Sequence, residues 1–164
     1  MKVEEIMTRN PKACTPTTTL ADAAGFMWEN DCGILPVVAE GGKVFGLITD
    51  RDICMAATMK SRNLSNIAVE EVITGKVYSS APGDDVRKAL ETMQEHKIRR
   101  LPVVAADGTL EGIVSMNDIT LRAEEAKDKE VPELSYADVV NTYKAICSRR
   151  IPLRQQAQGA VGGV

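Results

Sequence analysis

The feature that most constrains this chain of 164 residues is a pattern that occurs twice. The segment Val3-Glu4-Glu5-Ile6-Met7-Thr8 returns, at an offset of 66, as Val69-Glu70-Glu71-Val72-Ile73-Thr74. The same offset joins Leu35-Pro36-Val37-Val38 to Leu101-Pro102-Val103-Val104 and needs no gap as far as residue 53. A register this long is not expected by chance, and similarity at a fixed period is typical of repeated structural units. The chain is therefore predicted to contain two copies of one unit.

Each copy is predicted to be a βαββα unit. A helix with aliphatic residues at helical spacing is followed by two short strands, which a glycine-containing turn connects, and then by a second helix. The predicted helices span 19–31 and 85–97, the predicted strands span 34–39, 43–49, 100–105 and 109–115, and the second helices begin at Asp50 and Met116. This order predicts an α+β (mixed α/β) fold in which two pseudo-symmetric copies pack through their sheets.

The copies leave a connection and a C-terminal extension. We expect copy one at 1–58, an ordered connection at 59–68 and copy two at 69–124. Residues 125–148 contain a linker and an amphipathic helix from Ser135 to Cys147. Its predicted apolar face consists of Val139, Val140, Tyr143 and Ile146. Residues 149–164 are rich in Gln, Gly and Ala, which predicts disorder.

Composition narrows the classes of function. A formal charge of −3 provides no basic field, which argues against nucleic acid as a partner. The apolar runs have strand length and the N-terminus lacks the apolar core of a signal peptide, so we expect a cytoplasmic protein without a membrane span. The four cysteines form no Cys-x-x-Cys pair and His96 is the one histidine, so no metal site is predicted. The four cysteines are expected to be small buried hydrophobic residues.

The junction between the second strand and the second helix carries the same motif in both copies. Copy one reads Gly46-Leu47-Ile48-Thr49-Asp50-Arg51-Asp52 and copy two reads Gly112-Ile113-Val114-Ser115-Met116-Asn117-Asp118. A hydroxyl and a carboxylate one helical turn apart can bind the phosphate and ribose of a nucleotide near the free N–H groups of a helix start. The same two residues can instead form a capping box. The motif alone leaves both interpretations open.

Two arginines favour an anionic ligand. Arg99 and Arg100 enter a buried strand, and guanidinium groups bind phosphate bidentately. A solvated strand start or an intramolecular salt bridge is the alternative. Copy one has Gly33 and Ile34 at the matching positions, so two clefts built from this repeat would differ in charge.

Together these features resemble the CBS domain, the repeat named after cystathionine β-synthase, and the pair resembles a Bateman module. The resemblance rests on the duplicated hydroxyl-to-aspartate motif, the two Leu-Pro-Val-Val segments and the threonines Thr8 and Thr74, and it covers residues 3–57 and 69–123. It implies two pseudo-symmetric clefts that bind adenosine-containing ligands, most commonly AMP, ADP or ATP. NAD and S-adenosylmethionine are the alternative ligands.

The resemblance also implies roles for individual residues. Asp52 and Asp118 would bind ribose hydroxyls, Thr49 and Ser115 would lie near ribose or phosphate, Arg99 and Arg100 would reach phosphates, and Thr8 and Thr74 would border the phosphate end. The adenine would lie between Leu47, Ile113, Ile98, Ile34 and the strand around Ala13 and Ser79. Lys12 and Arg51 are possible substitutes for the basic residue that copy one lacks.

The expected function is that of a regulatory sensor. The chain has no nucleophile elbow, P-loop or metal cluster, so we expect no enzyme and no catalytic cofactor. An adenine nucleotide would close the cleft between the copies and signal to an unknown protein partner. Family resemblance also implies a homodimer. The alternative is a purely structural dimerisation module without a ligand.

Overall fold

The structure, a computed structural model, describes residues 1–73, 76–125 and 132–148. Each copy contributes a long helix, an antiparallel hairpin and a second helix. In chain order the elements are β1 (Thr8–Arg9), α1 (Leu20–Glu29), β2 (Ile34–Val38), β3 (Val44–Thr49), α2 (Asp50–Met59), α3 (Val86–His96), β4 (Arg100–Val104), β5 (Leu110–Ser115), α4 (Met116–Thr120) and α5 (Tyr136–Cys147). The predicted mixed α/β fold is confirmed.

The helices begin where side chains satisfy their free N–H groups. Thr19 accepts a hydrogen bond from the backbone N–H of Asp22 (3.1 Å) at the start of α1, and Asp85 caps α3 in the same manner. Reciprocal capping boxes begin α2, α4 and α5, and they are formed by Thr49 with Asp52, Ser115 with Asp118, and Ser135 with Asp138. Because such caps mark a helix start in the sequence, these boundaries agree with the prediction to within a residue.

The two hairpins repeat each other in detail. Pro36 lies opposite Leu47 in copy one, and Pro102 lies opposite Ile113 in copy two. Both ladders shift register at the equivalent place, after residue 37 and after residue 103. The brief strand expected before each long helix is a single parallel bridge, formed by Cys14 in copy one and by Ser80 in copy two. The repeat in the sequence is therefore a repeat in the backbone geometry.

The first segment of each copy packs into the core of the other copy. Val3, Ile6 and Met7 are buried among copy-two residues, and β1 pairs antiparallel with β5. Reciprocally, Ile67 and Val69 belong to the core of copy one. The two hydrophobic cores therefore exchange their leading segments, so a spatial unit does not coincide with a continuous stretch of sequence.

Two glycines permit this exchange. A Cβ atom on Gly112 would lie 2.6 Å from Sδ of Met7 and 2.9 Å from the carbonyl oxygen of Thr8. A Cβ atom on Gly46 would lie 2.7 Å from Cδ1 of Ile73. All three distances are below normal contact. Glycine is required at residue 112, where a methyl group would meet backbone, and it favours close approach at residue 46, where the neighbour is the end of the Ile73 side chain. The hairpins also meet directly, because the N–H of Val44 donates to the carbonyl oxygen of Gly108 (3.1 Å).

The connection between the copies contains a short helical turn and a buried residue. Leu64–Asn66 form a turn of 3-10 helix, and Ile67 behind it is fully buried. Arg62 forms an ion pair with Glu71 (2.7 Å), and this pair lowers the pKa of Glu71 to about 2. The connection therefore holds copy two against copy one by both burial and charge.

Helix α5 covers the helical face of copy two. It packs against α3 and α4, and the amide of Gln94 donates to the hydroxyl of Thr142 (2.7 Å). Val139 is buried and Tyr143 and Ile146 pack beside it, whereas the prediction that Val140 shares this face is wrong, because Val140 is 51% exposed. The helical period places Thr142 there instead, and its hydroxyl is satisfied by donating to the carbonyl oxygen of Asp138. The expectation of disorder concerns 149–164, which lie outside the described residues.

The cysteines differ in exposure. Cys14 is buried, and burial raises the pKa of its thiol to about 11. Cys54 and Cys147 are exposed, so the expectation that all four are buried is wrong. They lie in helices, on the sides that face away from the core. No helix among the described residues is long and apolar enough to cross a membrane.

The exchange of first segments predicts that Gly112→Ala destabilises the fold. The added methyl group would collide with Met7 and with the backbone of Thr8, and overpacking of this kind costs about 1–3 kcal/mol. Urea unfolding should show that loss. The matched control is Gly83→Ala, because nothing lies within 4 Å of a Cβ atom at Gly83 and its φ is unexceptional. Equal stability of the two variants would contradict the docking of β1 on β5.

Candidate functional site

Two clefts open where the copies meet. The first, which we call the Ser115 cleft, has a volume of about 480 Å³. It is lined by Thr8, Asn10, Pro11, Lys12, Asn30, Asp31, Cys32, Gly33, Ile34, Pro36, Arg100, Ile113, Ser115, Asn117 and Asp118. The second, which we call the Thr49 cleft, has a volume of about 600 Å³. It is lined by Ile34, Leu47, Thr49, Lys76, Tyr78, His96, Lys97, Ile98, Arg99 and Arg100.

The repeat relates the two clefts to each other. Each cleft takes the end of the second strand from one copy and the residues before the first hairpin strand from the other copy. The offset of 66 converts Thr49 to Ser115 and Gly33 to Arg99. Ile34 and Arg100 are also equivalent under this offset, and both line both clefts. The pseudo-symmetry axis therefore passes between an aliphatic and a cationic side chain.

The hydroxyl and carboxylate of each motif form a capping box. Asp118 Oδ2 accepts from the N–H of Ser115 (2.8 Å) and from its hydroxyl (2.6 Å). Asp52 Oδ2 accepts from the N–H of Thr49 (2.9 Å) and from its hydroxyl (2.7 Å). The second carboxylate oxygen of each aspartate has no hydrogen bond to any described residue. The capping interpretation is thus confirmed, and it leaves one oxygen of each aspartate free to accept from a ligand.

The same box occurs away from both clefts. Ser135 and Asp138 at the start of α5 have nearly the same distances, with Asp138 Oδ2 2.9 Å from the N–H of Ser135 and 2.8 Å from its hydroxyl. Asp138 lines neither cleft. The motif by itself is therefore no evidence of a ligand site, and a cleft beside it distinguishes Ser115 and Thr49 from Ser135.

The arginines have no internal counter-ion among the described residues. No carboxylate of the described chain lies within 4.0 Å of the guanidinium group of Arg99 or Arg100. Arg99 is exposed, whereas Arg100 is half-buried at the start of β4, where it lies opposite Ser115 in the ladder. The alternative of an intramolecular salt bridge finds no support in these residues.

The Thr49 cleft contains polar residues that the sequence analysis did not single out. The rings of Tyr78 and His96 are stacked, with centroids 3.5 Å apart. Lys76 lies over the ring of Tyr78, and a hydrogen bond to Tyr78 raises the pKa of Lys76. Lys97 donates to the carbonyl oxygen and hydroxyl of Ser148 (2.9 and 2.8 Å) at the end of α5. The offset places these residues at the positions of Asn10, Lys12, Asn30 and Asp31 in copy one, and this relation could have indicated them.

The structure distributes the predicted site residues over both clefts. The Ser115 cleft contains Thr8, Ile34, Arg100, Ile113, Ser115 and Asp118, and the Thr49 cleft contains Ile34, Leu47, Thr49, Ile98, Arg99 and Arg100. Asp52 is not among the residues that line the Thr49 cleft, but it accepts a hydrogen bond from the hydroxyl of Thr49, which is. In place of Ala13 and Ser79, the cleft walls present Lys12 and Tyr78, one residue earlier. Thr74 lies outside the described residues.

Neither cleft resembles a metal centre. The described residues contain no group of three His, Cys, Asp or Glu side chains that could hold a metal ion. Both clefts instead present hydroxyl groups and cations beside aliphatic walls, and the Ser115 cleft also presents carboxylates. Such groups suit a ligand with an apolar ring, a diol and an anionic group.

Known proteins resemble this chain in sequence and in fold. The chain is 34% identical over 119 residues to the CBS domain-containing protein YhcV of Bacillus subtilis, with 73% of this chain and 83% of that protein covered. The crystal structure of CBSX2 in complex with AMP covers 73% of this chain and 93% of its own, with a TM-score of 0.65 and 26% identity.

A further similar structure is that of the CBS domain pair of protein MJ0100 in complex with 5-methylthioadenosine and S-adenosyl-L-methionine. It covers 74% of this chain and 94% of its own, with a TM-score of 0.67 and 26% identity. The family model of the CBS domain matches residues 3–58 and again residues 69–125. The chain therefore belongs to the CBS domain family and contains two CBS domains in tandem.

Proposed function

We propose that this CBS pair is a regulatory module that binds adenosine-containing ligands, with AMP, ADP or ATP first among them, in the clefts between its copies. The observation that carries the proposal is the convergence, in each cleft, of a motif hydroxyl from one copy with a cationic residue, Arg100, that both clefts share. The motif aspartate Asp118 lines the Ser115 cleft, and Asp52 accepts a hydrogen bond from Thr49, which lines the other cleft. The CBSX2 and MJ0100 structures support it, because their ligands all contain adenosine.

The site residues divide the ligand among them. The free oxygens of Asp52 and Asp118 accept from ribose hydroxyls, which are donors that a carboxylate matches. Arg99, Arg100 and the hydroxyls of Thr49 and Ser115 face the phosphate. The aliphatic residues Ile34, Leu47, Ile98 and Ile113 enclose the adenine, whose burial provides an apolar contribution. These residues stabilise bound ligand and provide no group that would break a bond in it.

Signalling follows from where the clefts lie. Each cleft has walls from both copies, so a ligand that contacts both walls favours the arrangement in which the copies are closest. Lys97 connects the Thr49 cleft to Ser148 at the end of α5, and through it a change in the cleft can reach the C-terminal helix. A protein partner that contacts α5 would then detect whether the cleft is occupied.

Calorimetry with AMP, ATP, NAD and S-adenosylmethionine tests the proposal. A ligand at about one hundred times its Kd should stabilise the fold by about 2.7 kcal/mol and raise the melting temperature by several degrees. Absence of both heat and a melting shift with all four ligands would favour the purely structural module.

The role of the aspartates is tested by the double variant Asp52→Asn with Asp118→Asn. Loss of a hydrogen bond to a charged acceptor should weaken the binding of AMP and adenosine alike by roughly ten- to a hundredfold at each cleft. The control is Asp138→Asn, which removes a capping carboxylate outside the clefts together with its ion pair to Arg87 (3.0 Å). If both variants lose stability but neither loses affinity, the aspartates serve only as caps.

Self-association is a second candidate role. Trp28 is 87% exposed on α1, and Met59 is 74% exposed on α2. At the equivalent of Trp28, copy two has Gln94, which α5 covers. The open helical face of copy one is therefore proposed as the surface of a homodimer.

Light scattering at tens of micromolar tests the dimer. We expect a dimer for the native chain and a monomer for Trp28→Gln, which gives copy one the residue of copy two. Phe45→Gln, which removes a half-exposed aromatic residue from β3, is the control and should remain dimeric. A monomeric native chain would contradict this role.

A further inference from the structure

The two clefts differ strongly in charge. Among the described residues, the Thr49 cleft is lined by four cationic side chains and by no carboxylate; the cations are Lys76, Lys97, Arg99 and Arg100. The Ser115 cleft is lined by two cationic side chains, Lys12 and Arg100, and by two carboxylates, Asp31 and Asp118. The repeat thus provides two equivalent sites, of which one has a strongly positive lining and the other a lining with balanced charges.

The additional cations of the Thr49 cleft lie at three equivalent positions. Lys76 replaces Asn10, Lys97 replaces Asp31 and Arg99 replaces Gly33 when the offset of 66 is applied. Lys97 and Asp31 both have a positive φ, of 55° and 46°, so the backbone has the same conformation in the two copies while the charge is reversed. Lys97 donates to two neutral oxygens of Ser148, and no described carboxylate forms an ion pair with it.

Arg100 adds a constraint, because its one guanidinium group lines both clefts. When a phosphate in the Thr49 cleft binds Arg100, the Ser115 cleft retains Lys12 as its one cation among the described lining residues, against two carboxylates. Ile34, the equivalent of Arg100, provides no compensating charge. The Ser115 cleft is then unfavourable for a second highly charged ligand.

We propose that the Thr49 cleft is the site for a nucleoside di- or triphosphate, and that the Ser115 cleft takes an adenosine ligand without a polyphosphate. This inference rests on the proposed function and adds to it a division of ligands between the clefts. In the Thr49 cleft, each additional phosphate is stabilised by charge-assisted hydrogen bonds. In the Ser115 cleft, the charges of the lining residues balance, so an additional phosphate gains little.

The chain provides its own probe for this division. His96 is the one histidine in the sequence, and it lies in the Thr49 cleft, stacked on Tyr78. Its imidazole proton resonances therefore report directly on that cleft, because the described lining of the Ser115 cleft contains no histidine. NMR titrations with ATP and with adenosine, in magnesium-free buffer, should give a His96 shift that saturates at a concentration at least about tenfold lower for ATP.

The first variant gives the Thr49 cleft residues of copy one. Lys76→Asn with Arg99→Gly should weaken ATP binding, followed at His96, by roughly ten- to a hundredfold and should change adenosine binding by less than about threefold. Arg122→Gln with Lys144→Asn removes the same charge from exposed positions outside the clefts and should leave both affinities unchanged. An ATP preference that survives in the first variant, or that falls equally in the control, overturns the proposal.

The second variant works by gain of affinity. Asp31→Lys gives the Ser115 cleft the residue that copy two has at the same backbone conformation. Calorimetry should then detect a second ATP site that the native chain lacks, and an unchanged ATP stoichiometry would count against the inference. Failure of the proposed function is distinguishable, because no adenine ligand would then give heat or shift His96.

Discussion

The structure depends on the reciprocal burial of one short segment from each copy. Val3 and Val69 are both fully buried, and each lies in the core to which the other copy gives its long helix and hairpin. Backbone hydrogen bonds accompany the burial, since the N–H of Val3 donates to the carbonyl oxygen of Asp84 and the N–H of Val69 donates to that of Thr18. Neither copy can complete its core alone, so the two copies form one cooperative unit.

The clefts follow from this exchange. Because β1 pairs with β5, Thr8 of copy one is placed beside the motif of copy two and becomes a wall of the Ser115 cleft. The glycine that begins each motif permits that approach, so the same short sequence provides both the contact between the copies and the polar end of the cleft. Under the proposed function, a ligand between the walls would act on the contact that holds the copies together.

The sequence predicted the boundaries of the helices, but it did not predict how the two copies pack against each other. Helix starts were predictable because hydroxyl and carboxylate residues at fixed spacing form caps, as at Thr49 and Ser135. The exchange of first segments was not predictable. The offset shows that Val3 and Val69 are equivalent, but it does not show in which of the two cores each residue is buried. Capping and ligand binding also draw on the same residue types, so Ser115 with Asp118 could not be distinguished from Ser135 with Asp138 until their surroundings were known. The prediction for Val140 was wrong because it followed the hydrophobicity of the residue. The angular position of Val140 on α5 places it on the exposed side of the helix.

The charge difference between the clefts is accompanied by a difference in side-chain packing at the start of α2 and of α4. A Cβ atom on Gly33 would lie 2.9 Å from a carboxylate oxygen of Asp50, so the short side chain in copy one accompanies an acidic residue at the start of α2. In copy two the equivalent of Asp50 is Met116, which is buried, and Arg99 occupies the equivalent of Gly33. The backbone bond between these positions is kept, from Asp50 N–H to the oxygen of Gly33 and from Met116 N–H to that of Arg99. Because this hydrogen bond joins backbone atoms only, the side chains at the two positions can differ between the copies without a change in the fold. The duplicated backbone thus preserves the shape of both clefts while their charges diverge.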